Sequence, residues 1–459
     1  MSVLGFIVCV PRAGVEPARV APLVFETSAS TDSAIWAAFR SRLLGAVCDA
    51  KVSHFFLTSK KKRPKMDVFV SFCVLLATYT GKILYISLVI SIKPMEVMRN
   101  RMDYCIILAG GVGRRLWPCS RKELPKQFID FFGTGRTLLQ QTYDRCLRFI
   151  CPENILVSTF AGYEDLVRSQ LPGLPAANIL SEPVQLSTAP AVSWASRHIA
   201  LHAPDANIVV VPSDQHIVDE DRFVEQIARG LRFVASHDNF LAIGVKPTTP
   251  NTAYGYIQTG AECDGDRLWR VKSFSEKPAA EFARTFVDSG EFLWNTGIFL
   301  WNARTMLRLL DSLTPQVAQL MAEQGNHLSP AEELKMVNDY YPANLHRSID
   351  LIILDVCDNA FVQECDFGWA DIGSWPEMYK VTEKDADDNA VLGGARVMFS
   401  GCSGNMVALP EGMGAVLKGL DGYLVAQEGN MLVICPNEDP ALVRRLANEA
   451  RMELGEEYI

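Results

Sequence analysis

Short apolar runs recur along the chain from residue 103 onward, each ended by glycine, proline or small polar residues. Tyr104–Leu108 (YCIIL) feeds the loop AGGVG, and Ile208–Pro212 (IVVVP) feeds Ser213-Asp214-Gln215-His216. Brief runs rich in β-branched residues and bounded by turn formers predict buried strands. Helical stretches lie between them. One starts at Thr188–Ala191 and continues through Trp194 to His202, and residues 325–345 read as polar and helical. This alternation predicts a three-layer α/β domain over residues 102–378 with a mostly parallel sheet. Phe292–Trp301 (FLWNTGIFLW) fits less well, because Asn295 and Gly297 interrupt its apolar pattern. Past Tyr379 the pattern changes to closely spaced short runs separated by glycines (ARVMF, NMVAL, GAVLKG, GYLVAQ, NMLVI), then a helical stretch from Pro440 to Glu453. Residues 379–459 therefore predict a small β domain with a closing helix.

The first 101 residues do not follow this pattern. They hold 14 Lys and Arg against 6 Asp and Glu, whereas the remainder holds 30 against 47. The run KKKRPK (Lys60–Lys65) precedes an apolar stretch, Val68–Ile92, long enough to span a bilayer, with Lys82 near its middle. A charge at that depth is costly in lipid. Gly14–Ala34 resembles the peptide that appears when a transfer-RNA gene is translated. Two readings stand: a membrane-anchored protein, or a true start at Met95, Met98 or Met102. The second is favoured, and with it comes no membrane association. Elsewhere the acidic balance argues against a nucleic-acid partner. The 12 cysteines form no C-x-x-C and no zinc spacing, which suits free thiols in a reducing cytoplasm.

An acidic body that binds anions must gather its positive charge locally. Arg114, Arg115, Arg121, Lys122 and Lys126 do so directly after the glycine loop. Glycines let backbone N–H groups approach phosphate oxygens. The loop is not a P-loop, since no Gly-Lys-Ser/Thr follows, and from Gly111 the order G-V-G-R-R-L lacks the third glycine of a dinucleotide fingerprint. Taken alone, it also reads as a helix-entry loop with a solvated basic face. Asp214, just past a strand end, reads as a helix cap or as a Mg²⁺ ligand.

The sequence G-G-V-G-R-R-L-W-P-C-S-R with P-K-Q-F resembles the signature of the sugar-1-phosphate nucleotidyltransferases, in the form typical of their mannose-1-phosphate guanylyltransferase branch. Six later segments follow the same order: EPVQLSTAPA from Glu182, PSDQH around Asp214, GVKPTTPNTAYGYI from Gly244, FSEKP around Glu276, WNTGIF around Asn295, and FGWADIGSW around Asp371. The resemblance implies a Rossmann-like catalytic domain and a β-helix-like C-terminal domain through which relatives often form homodimers. It assigns Gly110, Gly111, Gly113, Arg114, Glu182, Thr188, Ala189 and Pro190 to the nucleotide. Gly255, Glu276 and Asn295 fall to the sugar, Arg115, Lys126 and Lys277 to the phosphates, and Asp214 and Asp371 to Mg²⁺. Arg114, Cys119 and Ser187 stand where many members carry other residues, and Gln215 intervenes before His216. The implied reaction joins GTP and mannose 1-phosphate to give GDP-mannose and pyrophosphate. The alternatives are a nucleotidyltransferase for another base or hexose, and a non-catalytic nucleotide-sugar sensor.

Overall fold

The computed structural model describes residues 99–263, 267–314, 319, 329–340 and 347–459, and before them only five short strands. The chain falls into two units, Met1–Glu96 and Val97–Ile459. In the first, Ser2–Leu4 pairs antiparallel with Leu23–Phe25, and Lys51–His54, Val74–Tyr79 and Lys82–Ser87 form an antiparallel sheet. What is described of the apolar stretch Val68–Ile92 is thus strand, and no described helix is long and apolar enough to cross a membrane. The basic run Lys60–Lys65 and, apart from Leu23–Phe25, the segment Gly14–Ala34 lie outside the described residues.

In the second unit the apolar runs become strands. These are β1 (Asp103–Leu108), β2 (Ile155–Phe160), β3 (Ile179–Glu182), β4 (Asn207–Pro212), β5 (Gln215–Ile217), β6 (Phe240–Val245), β7 (Tyr256–Cys263), β8 (Leu268–Ser275), β9 (Phe292–Asn302), β10 (Ala360–Cys365) and β11 (Trp369–Asp371). The helices are α1 (Leu138–Cys146), α2 (Glu164–Gln170), α3 (Thr188–His202), α4 (Glu220–Ser236), α5 (Ala280–Ser289), α6 (Ala303–Leu313), α7 (Pro330–Tyr340), α8 (Ile349–Val356), α9 (Trp375–Val381) and α10 (Leu442–Glu453). Alternation along the strands splits the core into two layers. Cys105 and Ile107 of β1 and Val209 and Val211 of β4 face α1, α2 and α4. Ile106, Ile208 and Val210 face the opposite way, against α3, α6 and α8. Each fully buried aliphatic side chain contributes about 2 kcal/mol of burial, so both faces of the sheet must be covered by helices, as the sequence predicted.

The sheet order is β6-β10-β8-β7-β9-β4-β1-β2-β3. Only part of it is parallel. β4, β1, β2 and β3 form a parallel half, whereas β9 runs antiparallel to β4, β6 and β7, and β8 antiparallel to β7 and β10. The sheet is therefore mixed rather than mostly parallel. The reason lies in β7 and β8, which are joined as a hairpin and need no crossover helix. β9 also corrects the expectation of an interrupted segment. It is one continuous strand of 11 residues. Gly297, in the left-handed region at φ 71°, absorbs the polar interruption as a bulge, and Thr296 Oγ1 donates to the Ile243 carbonyl at 2.7 Å.

Beyond α9 the strands β12 (Ala390–Leu392), β13 (Arg396–Ser400), β14 (Met406–Ala408), β15 (Gly414–Lys418), β16 (Tyr423–Glu428) and β17 (Met431–Pro436) follow. β12, β14 and β16 pair in parallel, and β13 pairs in parallel with β15, so the chain winds between two small sheets before β17 turns back antiparallel. One face of the larger sheet (Ala390, Met406, Leu424) shares a core with Leu116, Trp117, Phe131, Ile372 and Trp375. The C-terminal strands thus support the base of the glycine loop.

Candidate active site

The glycine loop leaves β1 at the carboxyl end of the parallel half. Each of its carbonyls is held from within. Gln127 Nε2 donates to the carbonyls of Ala109 (2.8 Å) and Gly111 (2.9 Å), Gln185 Nε2 to Gly110 (3.1 Å), and Ser120 Oγ to Val112 (2.9 Å). Among the described residues the N–H groups of Gly110–Gly113 meet no acceptor, which leaves a row of donors suited to an anion. Gly113 is required twice over. Its φ is 68°, and a Cβ there would lie 2.7 Å from Ser120 Oγ and 2.9 Å from Lys126 Cγ. Gly110 faces the buried Glu182, whose Oε1 accepts from Ser158 Oγ at 2.9 Å, while Gly111 opens to space. Arg114 is exposed, and Arg115 turns inward.

Lys126 is buried at 7% exposure in a short turn after Pro125. Its Nζ lies 2.5 Å from Asp214 Oδ2 and donates to the Ile372 carbonyl at 2.9 Å. The two carboxylates far apart in sequence meet because β5 and β11 form a two-stranded antiparallel ribbon, with Gln215 opposite Asp371 and Ile372 N–H donating to the Asp214 carbonyl at 3.1 Å. The inserted Gln215 anchors this ribbon by donating to the Thr296 carbonyl. His216 packs its ring on Phe132, and burial lowers its pKa. Burial pushes Asp371 above the usual carboxylate range; the Lys126 and Arg115 charges oppose that and Asp214 adds to it. Gly373 lies under both groups. A Cβ there would sit 2.6 Å from Asp371 Oδ2 and 2.9 Å from Arg115 Nη2. Among the described residues no three His, Cys, Asp or Glu side chains gather as a metal cage. Two adjoining carboxylates completed by substrate phosphates are nevertheless how Mg²⁺ is often held, so the donor set suits a divalent cation.

A second cluster forms around the β7–β8 hairpin and β9. A Cβ on Gly255 would lie 2.7 Å from the Phe274 ring and 3.0 Å from Glu276 Oε2, and Asn295 N–H donates to the Gly255 carbonyl at 2.8 Å. Gly255, Glu276 and Asn295 are thus neighbours. Lys277 adopts a left-handed φ of 46°, and its exposed Nζ lies 3.1 Å from Glu276 Oε1. Tyr254 links this cluster to the carboxylates. It lies against the backbone of Asp371, and its hydroxyl donates to the buried Glu377 at 2.7 Å. Glu377 also accepts from Asn251 (3.0 Å) and Lys380 (2.9 Å).

Thr188, Ala189 and Pro190 open α3. Ala189 and Pro190 are enclosed, Ala189 N–H donates to the Arg347 carbonyl, and Thr188 Oγ1 accepts from Ile349 N–H. Their side chains seat the helix against α8. Sequence reasoning assigned no role to Ser120, Gln127, Gln185, Tyr254, Asp350, Gly373 or Glu377. Several stand inside the quoted motifs, yet no local pattern says which carbonyl a Gln or Ser will hold. A cavity of about 500 Å³ lined by Met102, Asn207 and Asn302 lies at the opposite, amino-terminal ends of β1 and β4 and contains none of the predicted site residues.

A family model for nucleotidyl transferases matches residues 104–388. The chain belongs to the nucleotidyl transferase family. Two curated relatives extend the likeness. The mannose-1-phosphate guanylyltransferase of Sinorhizobium fredii is 32% identical over 358 residues, covering 75% of this chain and 69% of its own. The mannose-1-phosphate guanylyltransferase RfbM of Salmonella typhimurium is 28% identical over 358 residues, 77% of this chain and 73% of its own. The solved structure of a mannose-1-phosphate geranyltransferase from Thermus thermophilus superposes with a TM-score of 0.69 at 28% identity, over 76% of this chain and 99% of that one. Like this nucleotidyl transferase, it joins helices and sheets in an α/β fold.

Proposed function

We propose that this nucleotidyl transferase is a mannose-1-phosphate guanylyltransferase, transferring GMP from GTP to α-D-mannose 1-phosphate with release of pyrophosphate. The observation that carries the reading is the meeting of Lys126, Arg115, Asp214 and Asp371 beside the N–H row of the glycine loop, with the Gly255, Glu276 and Asn295 cluster next to it. The relatives' printed activity supports the choice of substrates.

A sugar-phosphate oxygen attacks the α-phosphorus of GTP in line. The new P–O bond forms as the bond from the α-phosphorus to the bridging oxygen breaks, and the electron pair leaves with pyrophosphate. The nucleophile is already an anion, so no side chain has to remove a proton. The obstacle is repulsion between two anions, which preorganised positive groups offset. The N–H groups of Gly110, Gly111 and Gly113, with Arg114 and Arg115, cradle the triphosphate, and Lys126 stabilises it where charge develops. Glu182, Thr188, Ala189 and Pro190 shape the nucleotide side. Glu276 accepts hydrogen bonds from sugar hydroxyls, Asn295 and Gly255 orient the ring, and Lys277 meets the sugar phosphate. A divalent cation, Mg²⁺ in this reading, would be held by Asp214 and Asp371 and would neutralise phosphate charge. The winding parallel strands of the C-terminal region support a β-helix-like domain, and we assign the chain to the cytoplasm and to a homodimer through that domain.

The test is pyrophosphate release by the full chain with Mg²⁺, crossing GTP, ATP, dTTP, UTP and CTP against mannose 1-phosphate and glucose 1-phosphate. Release greatest with GTP and mannose 1-phosphate supports the proposal. A different best pair replaces the substrates, and GTP binding without any release favours a sensor.

A further inference from the structure

The segment leading into α8 touches both halves of the site. On the nucleotide side, the Arg347 carbonyl accepts from Ala189 N–H at 3.2 Å and Ile349 N–H donates to Thr188 Oγ1 at 2.9 Å. On the sugar side, the next residue, Asp350, accepts from Asn295 Nδ2 at 2.6 Å. The other end of the same amide is also tied, since Asn295 Oδ1 accepts from Gly297 N–H at 3.0 Å. A carboxylate can only accept and a backbone N–H can only donate. The two contacts therefore fix which way round the Asn295 amide stands. One amide hydrogen and one oxygen lone pair remain for a ligand. Asp350 also feels the charges of Glu276 and Lys277, which places it beside the cluster that the proposed function assigns to the hexose.

We infer that Asp350 is a positioning residue for hexose recognition, locking the Asn295 amide in the one orientation that presents its N–H and C=O to fixed sugar hydroxyls. Without Asp350 only the Gly297 N–H still orients the amide, so it rotates more readily and at times offers an oxygen where a donor is needed. Epimeric hexoses differ in where their hydroxyls point, so a rotating amide blurs the choice between them. The inference rests on the reading of this site as a hexose 1-phosphate site.

The experiment is steady-state kinetics of the full chain and its Asp350→Ala, Asp350→Asn, Asn295→Ala and double Asp350→Ala/Asn295→Ala variants, with GTP and either mannose 1-phosphate or glucose 1-phosphate. For Asp350→Ala we expect kcat/KM for mannose 1-phosphate to fall about 10-fold, mostly through KM, with a narrowed mannose-to-glucose ratio and the KM for GTP within about 2-fold. Asp350→Asn keeps an acceptor but loses charge assistance, so about 3-fold is expected. The double variant should be no worse than the worse single variant, because both remove one interaction. A folded Asp350→Ala enzyme with an unchanged ratio, or effects that add, overturns the inference. If Asp350→Ala does not fold, an unchanged ratio in Asp350→Asn overturns it instead. A wild-type chain that turns over neither sugar overturns the proposed function, and this inference with it.

Discussion

On the nucleotide side of the site, Lys126 is 7% exposed and already holds Asp214 at 2.5 Å and a backbone carbonyl at 2.9 Å. On the sugar side, the Lys277 side chain is 61% exposed and rests against its own neighbour Glu276 at 3.1 Å. Both are lysines assigned to phosphates, yet one is fixed before substrate arrives and the other is left to the substrate to order. The contrast extends to their surroundings. The glycine loop has every carbonyl tied and is followed by Leu116 and Trp117, which share a core with the C-terminal strands, whereas Lys277 follows a hairpin in a left-handed conformation. Buried, preordered charges interact strongly at the cost of desolvation, while exposed ones are weak and screened. The halves should therefore respond differently to the same kind of substitution.

The largest effect is expected from Lys126→Ala and from Asp371→Asn. Each should lower kcat at least about 100-fold, the scale of losing one preorganised charge contact. Near-normal turnover in either would remove the nucleotide half of the comparison. Asp371→Asn carries a second expectation. Its carboxylate is held above its ordinary pKa by burial, so the charged form opposes folding. The cation-free variant should melt no lower than wild type while being inactive, and a clear drop in Tm would contradict that account.

Lys277→Ala should act on the sugar half alone. We expect KM for mannose 1-phosphate to rise about 10-fold, with KM for GTP unchanged, as one exposed charge-assisted contact is lost. A matching loss in GTP binding would erase the distinction between the halves. Gly113→Ala combines a left-handed φ with a clash against Ser120 and Lys126. It should cost about 1–3 kcal/mol of stability, readable in denaturant unfolding, together with reduced turnover. The smallest effect is expected from Arg121→Ala. Arg121 donates to the Glu428 carbonyl at 2.6 Å and to the Pro118 carbonyl at 3.0 Å, joining the loop to the C-terminal hairpin. Its removal should lower stability by about 1 kcal/mol, with little change in KM for the sugar.

Legibility in the sequence follows the same divide. The runs Tyr104–Leu108 and Ile208–Pro212 announced buried strands because burial on both faces leaves no polar positions in them. The helix at Thr188 and the closing helix near Leu442 were readable from spacing and turn residues. The mixed sheet was not, since strand direction depends on a hairpin between β7 and β8, and its Asp264-Gly265 turn signal was outweighed by the strand-helix alternation around it. Nor was the continuity of β9, where one left-handed glycine turned an apparent break into a bulge. Asp214 and Asp371 could be named from motifs, but the ribbon that joins them is a long-range pairing that no window reveals. Asp350 and Glu377 stand in the first turns of helices, where an acidic residue is ordinary, so nothing local marked the hydrogen bonds they make across the site.

The central claim is that a sugar-phosphate oxygen displaces pyrophosphate from the α-phosphorus of GTP at this site. The most direct measurement follows two labels through one reaction of the full chain with Mg²⁺ and mannose 1-phosphate, with GTP labelled at the α-phosphorus or at the γ-phosphorus. The account predicts all α-label in GDP-mannose and all γ-label in pyrophosphate. α-Label appearing in free GMP, or γ-label appearing as inorganic phosphate, would contradict it.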